Sequence, residues 1–379
     1  MFDYEILRIL WWAVLGVLLI GFAVMDGFDM GSLALLPFVA KTDNERRIVI
    51  NTIGPVWEGN QVWLLLGAGA IFAAWPYLYA VAFSGFYFAM LIVLLTLILR
   101  PVGMKFRSKM PGIGWRAFWD WCLFAGGSVP PVIFGVAFGN ALEGVPFSFD
   151  SSLRMTYSGS FFALLNPFAL LCGILSLGMI LLQGATWLAV KTEASVQRRA
   201  RQTIVALAMG VPLLFAVGGI WSGGFIDGYH YASTINPEGP SNPLYKTVTR
   251  ASGALMDNFS NYPIAWLVPA LVILGAALAL IGVARRRPIV SFIGSSLVIA
   301  GTVATAGVAL FPFLLPSSTV PNASLTVWDA SSSRTTLILM TLVTAVFLPI
   351  ILVYTSWVYH VLRGPVTAQH VKDRGDSLY

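Results

Sequence analysis

Charge is scarce in this chain. Of its 379 residues only 11% are Asp, Glu, Lys or Arg, while 57% are hydrophobic, and the mean hydropathy is +0.79. A soluble globular surface carries about twice that share of charge, so the composition excludes one. Cysteine is nearly absent. Cys122 and Cys172 are the only two, both inside apolar runs, which leaves no disulfide framework and no CxxC metal motif. Histidine is limited to His230, His360 and His370, none of them deep in an apolar run. The axial ligands of a transmembrane haem would have to sit at that depth, so this chain is not expected to ligate haem. Its eleven methionines do not change that, because Met is a common packing residue. A Walker loop, a dinucleotide fingerprint and a nucleophile motif are missing as well. The N-terminus offers no cleavable signal either. Asp3 and Glu5 precede the first apolar run, Arg8 is its only base, and no small-residue cleavage site follows before Asp26.

What the chain has is long apolar runs of about 20 residues, enough to cross a hydrocarbon core of ~30 Å as helices. The expected fold is all-α: a polytopic membrane protein with about nine transmembrane helices in two four-helix bundles plus a peripheral helix. The spans fall at Leu7–Phe38, Asn51–Ala74, Tyr77–Leu99, Phe118–Asn140, Phe161–Val190, Thr203–Trp221, Ile264–Ala284, Ile289–Leu310 and Thr336–Leu362. The second and third should part at Trp75-Pro76, since proline interrupts a helix. Residues 1–140 would form the first bundle, 161–362 the second, and 222–263 an ordered or semi-ordered outward loop, all within one integral-membrane domain.

Basic residues support the count of nine. With nine spans, one side holds 18 bases (among them Arg46, Arg107, Arg116, Arg199, Arg285, Lys372 and Arg374) and the other only Arg8, Arg154, Lys246, Arg250 and Arg334. By the positive-inside rule the N-terminus lies outside and the C-terminus is cytoplasmic. The net charge of +6 is thus a topology signal, with no nucleic-acid partner implied. Trp11, Trp12, Trp75, Tyr77, Trp115, Trp119, Trp121, Trp357 and Tyr359 fit interfacial aromatic belts.

Against this apolar background Asp26 and Asp29 stand out, three residues apart on one helix. A carboxylate in a bilayer costs a few kcal/mol or more. At 1.5 Å per residue they lie about 22–27 Å beyond Trp11, and Glu58, Asn60 and Gln61 lie about 10–15 Å inside the next span from its cytoplasmic end. Antiparallel neighbours would bring the two groups to similar depth. A buried carboxyl group can take up and release protons near neutral pH, which suits a proton route. Two alternatives stay open: hydrogen bonding to helix ends or to another subunit's Arg or Lys, and Na⁺ coordination. Elsewhere Arg100-Pro101 is expected to end a helix with Arg100 reaching the surface, and Asp120 to be interfacial. Asn166-Pro167 and Gln183 should stitch helices or line a cavity, and Arg285-Arg286-Arg287 should anchor topology and touch anionic lipid.

Taken in order, the string resembles subunit II of cytochrome bd-type quinol oxidases. The matching pieces are Trp11-Trp12, Asp26-Gly-Phe-Asp29-Met-Gly31, Trp57-Glu58-Gly59-Asn60-Gln61-Val62-Trp63, Phe72-Ala-Ala-Trp75-Pro76, Ala82-Phe-Ser-Gly-Phe-Tyr87, Arg100-Pro101, Gly135-Val-Ala-Phe-Gly-Asn140, Asn166-Pro167, Ile226-Asp-Gly-Tyr229 and Phe311-Pro-Phe-Leu-Leu-Pro-Ser-Ser318, through to Ser377-Leu-Tyr379. That resemblance implies a heterodimer in the bacterial inner membrane with a haem-bearing subunit I, which carries two b-type haems, a d-type haem and the quinol-oxidising loop. A small accessory transmembrane subunit is a further partner it allows, and some relatives hold a structural quinone in this subunit. Quinol is oxidised outside and O₂ reduced to water with cytoplasmic protons. Asp29 and Glu58, the latter an Asp in many relatives, match the family's proton-path acids, with Asp26, Asn60 and Gln61 as a supporting polar cluster. Trp63 matches a residue near the family's lateral O₂ route. An independent proton- or ion-coupled transporter is the competing reading, but it predicts broken helices around a midplane site and often an internal repeat.

Overall fold

The computed structural model describes residues 3–367 and 369; His370, Lys372, Arg374 and the motif Ser377-Leu-Tyr379 lie outside them. In hydrocarbon every backbone polar group must be satisfied within the chain, which for these apolar runs means helices. The described residues form α1 Tyr4–Val39, α2 Asp43–Ile53, α3 Trp57–Ala74, α4 Pro76–Gly85, α5 Tyr87–Phe106, α6 Ile113–Glu143, α7 Pro167–Lys191, α8 Ala194–Phe225, α9 Asp257–Asn261, α10 Leu267–Ala284, α11 Pro288–Leu310 and α12 Arg334–Val361. Three antiparallel pairs of short strands occupy connections: β1 Phe147–Phe149 with β2 Met155–Tyr157, β3 Asp227–Tyr231 with β4 Val248–Ser252, and β5 Phe313–Leu315 with β6 Leu325–Thr326.

Eight helices among the described residues are long and apolar enough to span a membrane: α1, α5, α6, α7, α8, α10 with the turn before it, α11 and α12. The second expected span, Asn51–Ala74, is not among these eight; it corresponds to the end of α2 and to α3, an 18-residue helix that packs along α1. Glu58, Asn60 and Gln61 in its first turns make it more polar than the others. The break at Trp75-Pro76 is present, but the third expected span is itself divided at Phe86 into α4 and α5. Arg100-Pro101 does not end a helix, because α5 runs through Pro101 to Phe106. Likewise α7 begins at Pro167, six residues later than expected. Asn166 caps it by accepting a 2.7 Å hydrogen bond from the Ala169 N–H, and proline suits the first helical position because that N–H needs no partner.

At the centre sits α1, packed against α3, α6, α7, α11 and α12. All eleven residues from Asp26 to Leu36 are buried, so this stretch meets protein on every side. α7 packs in turn on α1, α6, α8 and α11, α10 lies between α8 and α11, and α12 is peripheral, touching mainly α1 and α3. Where α1 crosses α7 the backbones meet at Gly31 and Gly184: a Cβ on Gly31 would collide with the Ile180 carbonyl oxygen and approach the Gly184 N to 2.9 Å. Small residues permit such close crossings in membranes. Gly31→Ala should therefore destabilise the protein by about 1–3 kcal/mol, the usual cost of overpacking, and lower its melting temperature in detergent. Gly16→Ala, where nothing lies within 4 Å of the new methyl, should leave it unchanged. Equal melting temperatures for the two variants would contradict the crossing.

The long connection between α8 and α10 is pinned to the first helix. Arg8, fully buried, donates to Ser331 Oγ at 2.8 Å, to the Gly239 carbonyl at 3.0 Å, to Ser241 Oγ at 3.0 Å and to the Pro237 carbonyl. Beside it Lys246 pairs with Asp329 at 2.8 Å.

Candidate functional site

The acids of α1 turn towards different neighbours. Asp26 receives Arg100 from α5 in a two-pronged contact, Nη1 to Oδ2 at 2.9 Å and Nη2 to Oδ1, and both side chains are at most 1% exposed. Such forked pairs are the strongest geometry available to a guanidinium and a carboxylate. Gly126 of α6 leaves room for this arginine, since a Cβ there would touch the Arg100 side chain and the Thr96 carbonyl. Arg100 thus does not reach the surface as expected. It sits six residues inside the end of α5, roughly 9 Å, and is held by a buried partner.

Asp29 faces α3. Its Oδ2 accepts a 2.9 Å hydrogen bond from Asn60 Nδ2, and Asn60 Oδ1 accepts one of 2.7 Å from the Tyr359 hydroxyl of α12. A three-helix chain of hydrogen bonds results, Tyr359–Asn60–Asp29, ending two residues before the end of α12. Asp29 Oδ1 and Ser32 Oγ, one turn further along α1, are buried with no hydrogen-bond partner among the described residues. Two carboxyl groups share one guanidinium here. Asp26 takes it in an ion pair, and Asp29 has no ion-pair partner among the described residues. An aromatic wall closes the site on the α7 side: Phe28 stacks on Trp187 with ring centroids 4.0 Å apart, and Tyr359 meets Trp187 edge-on at 6.1 Å.

Asn60 joins Asp29 as expected from depth, but Glu58 and Gln61 do not enter this cluster. Positions 58 and 60 differ by about 200° around a helix, so with Asn60 turned to α1, Glu58 faces outward and is exposed, and Gln61 is half-buried. Trp63 lies on the inward face with Asn60, 9% exposed, over Gly21, where a Cβ would come within 2.6 Å of its ring. Sequence reasoning missed Tyr359, read as a belt aromatic, and the pairing of Arg100. One signal was available for the latter: a lone arginine in an apolar helix, matched by an acid without a partner.

Two other polar groups are structural. Gln183, fully buried, donates to the Val24 carbonyl at 3.2 Å and to Ser296 Oγ at 3.1 Å and accepts from Ser295 at 2.5 Å, stitching α7 to α1 and α11. Asp120 is buried: it takes Arg107 at 2.5 Å and Arg46 at 2.7 Å, while Asp43 bridges Arg107 at 2.9 Å and Arg116 at 3.0 Å. At the same end of the bundle Glu45 pairs with Arg199 of α8 at 2.6 Å. Burial pushes the Glu45 carboxyl up, but hydrogen bonds from Ser195, Arg199 and the backbone N–H groups of Lys41 and Thr42 outweigh it and bring it down to about 2 from an ordinary 4.5. A carboxyl depressed on folding contributes stability above its unfolded value that is lost as pH falls through the folded one. The Glu45 contribution should therefore disappear between pH 4.5 and 2. A melting-temperature profile of Glu45→Gln that parallels the parent across that window would count against the tether.

An apolar cavity of about 250 Å³ lies between α1, α6, α7, α8 and α11, walled by Phe22, Phe134, Phe168, Met179, Phe215 and Phe259. Among the histidines, His230 is exposed on β3 and 3.2 Å from Asp257, and His360 is exposed near the end of α12.

Comparison with known proteins gives a consistent result. A family model described as cytochrome bd terminal oxidase subunit II matches residues 7–362. The chain is 51% identical over 379 residues, all of both sequences, to the cytochrome bd-I ubiquinol oxidase subunit 2 of Escherichia coli. It is 50% identical over 380 residues, again all of both, to a probable cytochrome oxidase subunit 2 of Haemophilus influenzae. Its fold is similar to a chain in the structure of bd oxidase from Geobacillus thermodenitrificans, with a TM-score of 0.66 at 18% identity over 94% of this chain and 98% of that one.

Proposed function

Because this chain belongs to the cytochrome bd terminal oxidase subunit II family, a family of oxidoreductase subunits, we propose that it is the haem-free partner of a haem-bearing subunit I. In this reading it supplies part of the cytoplasmic proton-uptake path for reduction of O₂ by quinol. The complex sits in the bacterial inner membrane with the N-terminus outward and the C-terminus cytoplasmic, as the distribution of bases favours. The transporter reading gives way to a match that runs the length of the chain.

One observation carries the proposal: Asp29 is fully buried, bonded through one oxygen to Asn60, and without a counter-ion of its own. Asn60 orients Oδ2 and leaves Oδ1 as the oxygen that takes a proton. Tyr359, near the end of α12, fixes Asn60 from the side nearest the basic loops. Glu58, on the exposed face of α3 and outside the Asp29 cluster, is a second proton-carrying group at the proposed boundary with subunit I. A carboxylate facing lipid at that position would cost a few kcal/mol, so the α3 face bearing Glu58, Val62 and Leu65, with the largely uncovered α12 beside it, is the proposed contact with subunit I. Trp63 sits just behind this face, consistent with an O₂ route along the boundary.

Haem binding by this chain does not fit the positions of its described histidines, and no step is assigned to haem here. The apolar cavity suits the isoprenoid portion of a structural quinone, with Ser176, Ser222, Thr302 and Thr305 the hydroxyl-bearing residues on its wall. Bound there, a quinone would fill the space between the two bundles without taking part in turnover.

Glu58→Gln tests the relay with little risk to packing, since the side chain is exposed in this chain. Quinol-driven O₂ consumption should fall about tenfold or more, in the range of a lost proton-transfer group, with the haem spectrum unchanged. Parental turnover would reject the relay, and loss of haem together with subunit I would assign Glu58 to assembly instead.

A further inference from the structure

We propose that the groove between the start of α8 and the end of α10 is a binding site for the headgroup of an anionic phospholipid. The groove has a volume of about 420 Å³ and is lined by Gln197, Arg198, Arg201, Gln202, Val205 and Val283. It lies at the end of the bundle that carries the basic loops, where a membrane-spanning helix meets the headgroup layer.

Three observations converge on this ligand. The first is uncompensated charge. At this end of the bundle Arg46, Arg107, Arg116 and Arg199 are each ion-paired with Asp120, Asp43 or Glu45. By contrast, Arg198 and Arg201 make no side-chain hydrogen bond or ion pair among the described residues. The only acid in α8, α10 or the turns flanking this end is Glu193, which does not line the groove. Arg285, Arg286 and Arg287, exposed in the turn that follows α10, add to the positive field. The second is the donor set: two guanidinium groups with the Gln202 amide suit a phosphodiester, which guanidinium binds in a forked geometry, while Gln197 spends its amide N–H groups on the Ala189 and Thr192 carbonyls at 2.9 and 3.0 Å and forms the groove wall. The third is continuity with an apolar track. Val205 begins a series of exposed side chains, Val205, Met209, Leu213, Val217 and Ile220, whose spacing of three to four residues keeps them on one face of α8. Exposed Ile281 and Leu274 lie on α10 beside it. A polar, cationic head opening onto two apolar helix faces matches an amphiphile, whereas a soluble phosphate would use only the first part. Nor does this face belong to the proposed contact with subunit I, since α8 and α10 are separated from α3 and α12 by α1, α7 and α11.

Native mass spectrometry of the assembled two-subunit complex, delipidated in detergent and titrated with phosphatidylglycerol, phosphatidylcholine or glycerol 3-phosphate, tests the assignment. Phosphatidylglycerol should be retained over phosphatidylcholine by about tenfold or more, as two arginines near the membrane surface imply, and glycerol 3-phosphate should not be retained. Arg198→Gln/Arg201→Gln should abolish the preference, and Arg198→Lys/Arg201→Lys should keep most of it. Should the Gln variant not assemble, the parent complex still decides, because raising the salt concentration should erode the preference by screening. Equal retention of the two lipids, a preference that survives the Gln substitutions, or equal binding of glycerol 3-phosphate would each overturn the lipid site.

Discussion

Asp29→Asn will remove most quinol-driven O₂ consumption, by about 100-fold, while the complex still assembles with its haem spectrum intact. The amide is nearly isosteric with the carboxyl and its oxygen can still accept the 2.9 Å hydrogen bond from Asn60, so packing around Gly31 and Phe28 has no reason to change. What is lost is the only carboxyl group in the cluster not committed to an ion pair, and a positioned proton-transfer group contributes about 10²–10⁴ in rate. Tyr359→Phe is the informative companion. It deletes a hydroxyl that touches Asn60 at 2.7 Å, not Asp29 itself, so it should slow turnover only a few-fold by loosening the orientation of Asn60. Proton uptake followed during a single turnover separates the cases: in Asp29→Asn the uptake should slow together with O₂ reduction. If Asp29→Asn turns over like the parent, the carboxyl is a packing element and the route lies elsewhere.

How much of this is legible in the sequence depends on whether one helix or two must be known. The apolar character of the long runs, the break at Trp75-Pro76 and the placement of Asp26 and Asp29 in an apolar helix are properties of single segments and are legible in the sequence, whereas the bounds of α5 and α7 are not. The meeting of Asn60 with Asp29 needed only the 1.5 Å rise and an antiparallel neighbour, and it too is present. Arg100 needed more. An expected span of Tyr77–Leu99 puts it at a helix end, but the chain divides at Phe86 and α5 carries on to Phe106, which draws the guanidinium inward to Asp26. Glu58 and Asn60 fell into one expected cluster because depth was estimated without rotation about the helix. Gly31, Gly126 and Gly184 are equally mute in sequence, since only the facing helix shows that a methyl would not fit. Tyr359 looks like any aromatic near the end of a span until α12 is laid against α3.

Arg100→Met should abolish assembly. The substitution leaves the Asp26 carboxylate fully buried in a membrane helix with its partner gone, and breaking a buried pair from one side costs about 3–5 kcal/mol. That is a large share of the 5–15 kcal/mol by which folded domains are typically stable. The expected readout is little or no haem-containing complex in membranes and no two-subunit species on size exclusion. Asp26→Asn/Arg100→Met should recover most of it, because replacing both ions by neutral groups of similar volume is often close to neutral. The rescued complex then answers a question about mechanism. If Asp26 serves as a fixed counter-ion that keeps Arg100 occupied, the double variant should consume O₂ at a rate within a few-fold of the parent, since the Tyr359–Asn60–Asp29 chain is untouched. A well-assembled double variant with the deep defect of Asp29→Asn would instead place the Asp26–Arg100 pair on the proton route. Parental stability in Arg100→Met alone would mean that the pair contributes little to holding α1 against α5.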